Sequence, residues 1–228
     1  MDRVRFDPTQ PFAEVEFRNT SGKSITAYSF FVVSRYADAS TQTAGQLEDF
    51  VPSIGFESEA GNLNPMQHLG VLKDGQSRLR RVIVPERNTE KPVGLDVRVT
   101  SVVFADGVSL GDPGVIDNIF RERIHTRDGL KVEIAELKRV HANSSDGLAA
   151  VRTLSADLEQ RRKRESRNLD PLDTAALGVG IWISQDLADA RQRIEAGKIE
   201  GNAWLSQYIQ RLNREYESYR VHSERRSQ

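Results

Sequence analysis

The chain has 228 residues, more than the usual ~100–200 residues of one domain, so two structural units are expected. A hydrophobic fraction of 38% and a charged fraction of 29% suit a soluble globular protein with its own core. The net charge of −1 excludes a global field that would recruit nucleic acid, an anionic membrane or a cationic substrate. The absence of cysteine excludes disulfides, thiolate chemistry and cysteine-ligated zinc.

The sequence predicts neither a transmembrane segment nor a leader. The longest apolar run, residues 175–183, is shorter than the about 20 residues that a bilayer requires. The first ten residues, MDRVRFDPTQ, lack the apolar stretch of a signal peptide. Localisation stays open, because Met1 could also stand in place of a leader that was removed from an exported protein.

The first half of the sequence has the period-two pattern of β-strands. Short apolar runs bounded by turn residues predict strands over residues 12–17, 25–33, 50–57, 76–84 and 95–104. The polar, irregular residues 34–64 predict a long loop that precedes the strand near residue 50. Asp106-Gly107, between two apolar runs, predicts a hairpin with a type I′ turn.

These strands predict an α+β protein whose residues 1–112 form an antiparallel immunoglobulin-like β-sandwich. The Cys…Trp…Cys core of true immunoglobulin domains is missing, because the chain has no cysteine and both tryptophans lie in its second half.

From Val115 onward the apolar residues recur every three to four positions, which predicts helices. Asp112-Pro113 and Asp170-Pro171 have the pattern of a helix N-cap followed by proline at the first helical position. Residues 143–147 predict a break, and a last helix begins near Asn202. Residues 113–228 are therefore expected to form a helical domain of three or four helices.

No cofactor or metal site is expected. None of the four histidines, His68, His125, His141 and His222, has a neighbour at metal-binding spacing. Gly178-Val179-Gly180 resembles part of a dinucleotide-binding loop, but Ile183 replaces the third glycine and no strand precedes the pair. We interpret it as a helix surface kept small for close packing.

One alternative function is a hydrolase that acts on a carbohydrate or an ester. In a strand, the carboxylates of Glu57 and Glu59 would share a face and could serve as an acid–base pair. No tryptophan or tyrosine close in sequence would stack on a sugar, so a solvated strand end is the favoured interpretation.

A second alternative is a phosphate or nucleic-acid binder. The most concentrated charge in the sequence is the basic run Arg161, Arg162, Lys163, Arg164 and, after two residues, Arg167. These side chains could contact an anion, or they could complement the dipole at a helix C-terminus. The overall charge balance disfavours nucleic acid as a partner.

An aromatic stripe on the last helix is the main candidate for a contact surface. Helical spacing places Trp204, Tyr208, Tyr216 and Tyr219 on one face. Such a stripe either packs within its own fold or meets a protein partner, a second copy included, since tryptophan and tyrosine are frequent interface anchors.

Two short turn motifs resemble those of bacterial extracytoplasmic immunoglobulin-like domains. Residues 19–25 match an N-x-S-x-K-x-I stretch between the first two strands, and Phe104-Ala105-Asp106-Gly107 is similar to an F-x-D-G hairpin of secreted bacterial proteins. The resemblance covers roughly residues 1–110. It implies a β-sandwich and export, and it supplies no catalytic residue.

Taken together, the sequence favours a non-enzymatic binding or scaffolding protein that acts through protein contacts. The hydrolase and the anion binder are the alternatives.

Overall fold

The computed structural model describes residues 3–51, 70–85, 87, 90–164 and 171–226. The chain divides into two compact units, Met1–Phe120 with Glu224–Gln228, and Arg121–Ser223. The described residues contain two antiparallel sheets and four helices, which confirms the predicted α+β class. Among these helices, none has the length and the apolar character that crossing a membrane would require.

The strands of the first unit form one sheet of three strands and one of four. In spatial order, the smaller sheet is β1-β2-β5 and the larger is β4-β3-β6-β7. The strands are β1 Arg3–Arg5, β2 Phe12–Arg18, β3 Ile25–Arg35, β4 Thr41–Asp49, β5 Ser77–Ile83, β6 Gly94–Phe104 and β7 Ser109–Gly111.

Alternation along β2 and β3 produces one core that both sheets share. Val15 and Phe17 of β2 are buried, as are Tyr28 and Phe30 of β3, and all four belong to the same hydrophobic cluster. The Phe17 ring lies 4.8 Å from the rings of both Tyr28 and Phe30, centroid to centroid. Burial alternates along β2, and along β3 from Phe30 onward, as expected of strands with one face in a core.

The expected loop over residues 34–49 is wrong, because β4 occupies Thr41–Asp49. It pairs with β3 over its full length, from Arg35↔Thr41 to Ala27↔Asp49. No large apolar residue marks β4 before Leu47, since it is an edge strand whose side chains stay partly exposed. Phe50 and Val51 are buried but lie outside the strands, and the rest of the strand expected at 50–57 lies outside the described residues.

The hairpin at Asp106-Gly107 is confirmed, but its turn type differs from the prediction. Gly107 has φ +82°, while Asp106 has no positive φ, so the turn is not type I′. The Gly107 N–H donates to the Phe104 carbonyl, and the Phe104 N–H donates to the Val108 carbonyl. This is the pattern of a three-residue loop that closes with a bulge.

A side chain at Gly107 would also meet the C-terminal tail. A Cβ there would lie 2.8 Å from the Glu224 carbonyl oxygen, and the Arg226 N–H donates to the Gly107 carbonyl at 3.1 Å. Residues 224–226 are thus attached to the first unit.

Asn19 organises the turn between β2 and β3. It is 2% exposed, and its Nδ2 donates to the carbonyls of Lys23 at 2.7 Å and Leu72 at 2.8 Å. Its Oδ1 accepts from the Ser21 N–H at 3.0 Å. This one side chain joins the turn to a segment more than fifty residues away.

The four helices are α1 Pro113–Ala142, α2 Gly147–Arg164, α3 Pro171–Glu195 and α4 Gly201–His222. The predicted cap at Asp112 is confirmed, because its Oδ1 accepts from the N–H groups of Gly114 and Val115. The predicted break at residues 143–147 is also confirmed, and Asp146 caps the helix that follows it. Asp170, the other predicted cap, lies outside the described residues.

Glycine permits a close backbone approach where α2 and α4 begin. A Cβ on Gly147 would lie 2.3 Å from the backbone nitrogen of Asn202 and 2.3 Å from the carbonyl carbon of Gly201. Neither atom belongs to a flexible side chain, so the contact excludes any larger residue.

We expect Asn19→Ala to lower the free energy of unfolding of the first unit by about 1–3 kcal/mol, because the hydrogen bonds from the buried Asn19 amide to the carbonyls of Lys23 and Leu72 are lost. Thr20→Ala, an exposed neighbour, is the control and should change it by less than about 0.5 kcal/mol. Denaturant unfolding followed by circular dichroism measures both. Equal stability of the two variants would contradict the role assigned to Asn19.

We expect Gly147→Ala to destabilise the helical unit by about 1–3 kcal/mol or more, because the added methyl collides with backbone. Gly178→Ala is the matched control, since a Cβ at this helical glycine meets nothing within 4 Å and alanine favours helix. The melting temperature should therefore fall for Gly147→Ala and rise for Gly178→Ala. Melting temperatures that change in the same direction would contradict the close backbone contact at Gly147.

Candidate functional site

The open edge of β4 is the least protected strand edge in the described part of the first unit. The other edge strands are either three residues long, as β1 and β7 are, or carry several arginines, as β5 does. Residues 41–47 of β4 contain no charge, no proline and no bulge. Proteins usually protect a sheet edge with one of these devices. Within the described residues, β3 is the one strand that pairs with β4.

The hydrogen bonds at the ends of the β3–β4 ladder identify which groups face this open edge. Tyr36 N–H donates to the Ser40 carbonyl at 3.0 Å, and Phe50 N–H donates to the Thr26 carbonyl at 2.8 Å. Bonded pairs alternate in an antiparallel ladder. The even-numbered residues of β4 therefore bond to β3. The odd-numbered residues direct their N–H and C=O groups to the open edge: Thr41, Thr43, Gly45 and Leu47.

An apolar patch adjoins the open edge on the outer face of the larger sheet. Phe31 is 42% exposed and Leu47 is 49% exposed. Phe31 pairs with Gly45 and Ser29 pairs with Leu47, so the two apolar side chains are diagonal neighbours. The Phe31 ring lies over Gly45, where a Cβ would come 3.2 Å from its Cε1. We call β4 together with Phe31 and Leu47 the β4 edge surface.

One end of this outer sheet face is covered, whereas the Phe31 end is open. Ile116, Ile119 and Phe120 of α1 pack on Ala27 and Val103 in a separate hydrophobic cluster. Ala27 and Phe31 project from the same face of β3, since they are four residues apart. The sheet face therefore changes from buried to exposed along a single strand.

The sequence analysis did not predict the β4 edge surface. Its one local signal is the uncharged stretch of residues 41–47 in a chain of which 29% is charged. Chemically, this surface offers backbone donors and acceptors beside exposed apolar side chains, which is what a strand-adding partner requires.

Arg161, the first residue of the basic run, is held by a buried carboxylate. Its Nη1 and Nη2 donate to the two carboxylate oxygens of Glu133 at 2.6 and 2.9 Å, and Glu133 is 2% exposed. The pair lies beside α3, where a Cβ on Gly180 would sit 3.5 Å from Glu133 Oε1 and 2.9 Å from Leu158 Cδ2. The close-packing interpretation thus holds for Gly180 but not for Gly178, which faces open space.

The remainder of the basic run is only partly described. Arg162, Lys163 and Arg164 are the last residues of α2, and their side chains lie outside the described part of the structure. Arg167 lies wholly outside it. The anion-contact hypothesis for these residues stays a prediction.

A groove of about 960 Å³ runs between α1 and α2 in the helical unit. Val132 and Ala135 provide its apolar portion. Acidic and basic side chains alternate around it, namely Asp128, Lys131, Glu136, Arg139, Asp157 and Arg161. Several of these charges already pair with each other or with Glu133, as in Arg139 Nε to Glu136 Oε2 at 2.9 Å. The groove therefore has no excess of one sign to select an anion or a cation.

The aromatic stripe of α4 is divided between the interior and the surface. Tyr208 and Tyr219 are buried, while Trp204 and Tyr216 are half-buried. The rings of Trp204 and Tyr208 stack with centroids 4.7 Å apart. Tyr208 and Tyr219 therefore pack within the chain. Contact of Trp204 and Tyr216 with a protein partner stays a prediction.

A partly buried polar cluster lies beside Tyr208 in the helical unit: Glu215 is buried, while the side chains of Arg211 and Asp186 are 42% and 38% exposed. The Tyr208 hydroxyl donates to Asp186 Oδ2 at 2.9 Å, and Arg211 Nη1 lies 3.9 Å from the same oxygen. Burial raises the pKa of Glu215 to about 7. The positive charge of Arg211 lowers this pKa in part, and the negative charge of Asp186 raises it further. Burial and Asp186 also raise the pKa of Tyr208.

The remaining predicted side chains form no centre in the described part of the chain. His141 Nε2 lies 3.0 Å from Ser206 Oγ, and His222 Nδ1 lies 2.8 Å from the Ser218 carbonyl. No group of three or more metal-binding side chains occurs among the residues that the structure describes. Glu57, Glu59 and His68 lie outside those residues.

Comparisons with protein-family models, with curated proteins and with solved structures find no match to this chain.

We expect the helical unit to lose stability as pH rises from about 4.5 to about 7. The folded state keeps the Glu215 proton over this window and the unfolded state releases it, because the folded pKa is raised to about 7. The loss should reach about 3 kcal/mol above pH 7. Denaturant unfolding at several pH values measures the slope.

Glu215→Gln should remove this pH dependence and stabilise the unit above pH 7. Glu217→Gln is the matched control, because Glu217 is exposed two residues away on the same helix. The control should keep the wild-type slope. A Glu215→Gln variant that also keeps the slope would contradict the assignment.

Proposed function

We propose that this chain is a non-enzymatic binding protein that acts through protein contacts, with the β4 edge surface as its contact site. The observation that carries the proposal is that, among the described residues, no strand pairs with the outer edge of β4, beside which Phe31 and Leu47 are exposed. Backbone groups at a sheet edge supply affinity for an extended segment, and adjoining apolar side chains supply selectivity. Exposed apolar patches on soluble proteins commonly mark interaction sites.

The finer fold class that we propose for the first unit is an immunoglobulin-like β-sandwich. Antiparallel sheets of three and four strands with a shared core support it. The bacterial extracytoplasmic relationship implied by the two turn motifs belongs to the same proposal.

Replacement of both Phe31 and Leu47 by aspartate tests the proposal. The tagged full-length chain is immobilised, exposed to a lysate of cells that naturally produce it, and the retained proteins are quantified by mass spectrometry. We expect at least one protein, untagged copies of the chain included, to fall about tenfold or more in the variant. Loss of a hot-spot side chain commonly costs this much affinity.

Leu79→Asp is the control for this experiment. Leu79 is 59% exposed on β5 of the smaller sheet, so the substitution adds the same charge at a similar site outside the β4 edge surface. Its retained proteins should match those of wild type, and circular dichroism should confirm that all variants fold. Identical profiles for wild type and the Phe31→Asp, Leu47→Asp variant would refute the proposal.

A further inference from the structure

We propose that the first unit binds a chloride ion between its two sheets, through Tyr28, Arg78 and Arg80. We call these three residues together with Glu48 the Tyr28 cluster. Tyr28 lies opposite Glu48 in the β3–β4 ladder, and both arginines belong to β5 of the smaller sheet. The ion would bind whether or not a partner occupies the β4 edge surface.

The two arginines direct their side chains toward the core that the sheets share. In the β2–β5 ladder, Arg78 lies opposite Phe17 and Arg80 lies opposite Val15. Residues that lie opposite each other in an antiparallel ladder project from the same face. Phe17 and Val15 are both buried in the shared core. The two guanidinium groups therefore lie at the border of that core, where charged side chains are rare unless they are paired.

The described side chains of the Tyr28 cluster leave one positive charge without a counterion. Arg80 Nη2 forms an ion pair with Glu48 Oε2 at 2.7 Å. Arg78 forms no ion pair with the described residues. Its Nη2 donates to the Gly70 carbonyl at 2.7 Å, and its Cζ lies 4.2 Å from the centre of the Phe50 ring. Burial and the charge of Arg80 lower the pKa of Arg78, as expected where one carboxylate serves two guanidinium groups.

Three hydrogen-bond donors of the cluster have no acceptor among the described residues. They are the Tyr28 hydroxyl, Arg78 Nη1 and Arg80 Nε, and all three atoms are shielded from solvent. Tyr28 itself is 2% exposed. Burial raises the pKa of Tyr28 to about 12, with the charge of Glu48 adding to the rise and both arginines opposing it, so the hydroxyl lies within electrostatic range of all three charges. Buried donors of this kind indicate a bound water or ion.

Chloride suits these donors better than water or an oxyanion does. Its one negative charge matches the positive charge that Glu48 leaves uncompensated, whereas water would accept hydrogen bonds without supplying charge. Hydrogen bonds from guanidinium groups to an anion are also stronger than those to a neutral acceptor. The donor atoms are enclosed by neighbouring groups, which favours a monatomic ion over phosphate or sulfate. A small ion can enter beside Arg80 and Glu48, whose side chains are 16% and 28% exposed.

NMR of the chloride nucleus measures binding to the full chain directly, because the chloride signal broadens when the ion exchanges with a slowly tumbling protein. We expect the wild-type chain to broaden the signal and added bromide to reverse the broadening by competition. Tyr28→Phe should weaken chloride binding about tenfold or more, since it removes one donor to the ion and keeps the ring. Tyr36→Phe is the matched control. The Tyr36 hydroxyl donates to the Pro85 carbonyl at 2.9 Å, outside the Tyr28 cluster, so this variant should keep the wild-type affinity.

Urea unfolding in sodium chloride and in sodium gluconate of equal ionic strength provides the second measurement. An ion that binds only the folded state multiplies the folding equilibrium constant by 1 + [chloride]/Kd, about twentyfold at about 0.2 M chloride and a Kd of about 10 mM. Arg78→Gln should abolish this increase, because it removes the uncompensated charge. Arg81→Gln is its control, since Arg81 is exposed on the same strand and should leave the increase unchanged.

Equal broadening by wild type and Tyr28→Phe would overturn the proposal, as would wild-type unfolding that is the same in both salts. Loss of the chloride effect in Tyr36→Phe or Arg81→Gln would also overturn it, because the effect would then not depend on the Tyr28 cluster. Circular dichroism establishes that each variant is folded. If Arg78→Gln does not fold, Tyr28→Phe decides alone, since its hydroxyl has no partner among the described residues and the fold does not depend on it.

Discussion

The first unit depends on one strand, β3, whose two edges are both filled by antiparallel neighbours. Its even-numbered aromatic residues enter the core shared by the two sheets, while its odd-numbered residues from Ala27 onward reach the outer face. A slip of one residue would exchange the two faces and expose the core side chains. The register of β4 follows from that constraint, as does the position of Phe31 above Gly45. The exposed patch is therefore a consequence of the way the core is filled.

Local patterns in the sequence predicted the parts of the fold that local chemistry determines. The cap at Asp112, the break before Gly147 and the hairpin at Gly107 each depend on a few consecutive residues. The strand β4 could not be found in this way. Its place is determined by hydrogen bonds to β3, and an edge strand does not need the alternating apolar side chains by which strands are recognised.

The candidate sites were less accessible to sequence analysis, because their partners are distant in the chain. The spacing of the basic run gave no indication that Arg161 would bind Glu133, a carboxylate on another helix. The aromatic stripe was correctly placed on one helix, but its division into buried and half-buried residues depends on packing with neighbouring helices. Likewise, the environment of Glu215 is formed by α3 and α4 together, so its raised pKa has no sequence signature.

The attachment of residues 224–226 to the first unit gives the chain the connectivity of an inserted domain. The helical unit leaves the first unit after Phe120 and returns to it at Glu224. If the helices unfold while the sheets stay folded, the unfolded segment is a loop of roughly a hundred residues with both ends tethered. Closing such a loop removes conformational entropy that a free tail would keep. The tether thus disfavours partial unfolding of the helical unit by restricting its unfolded state.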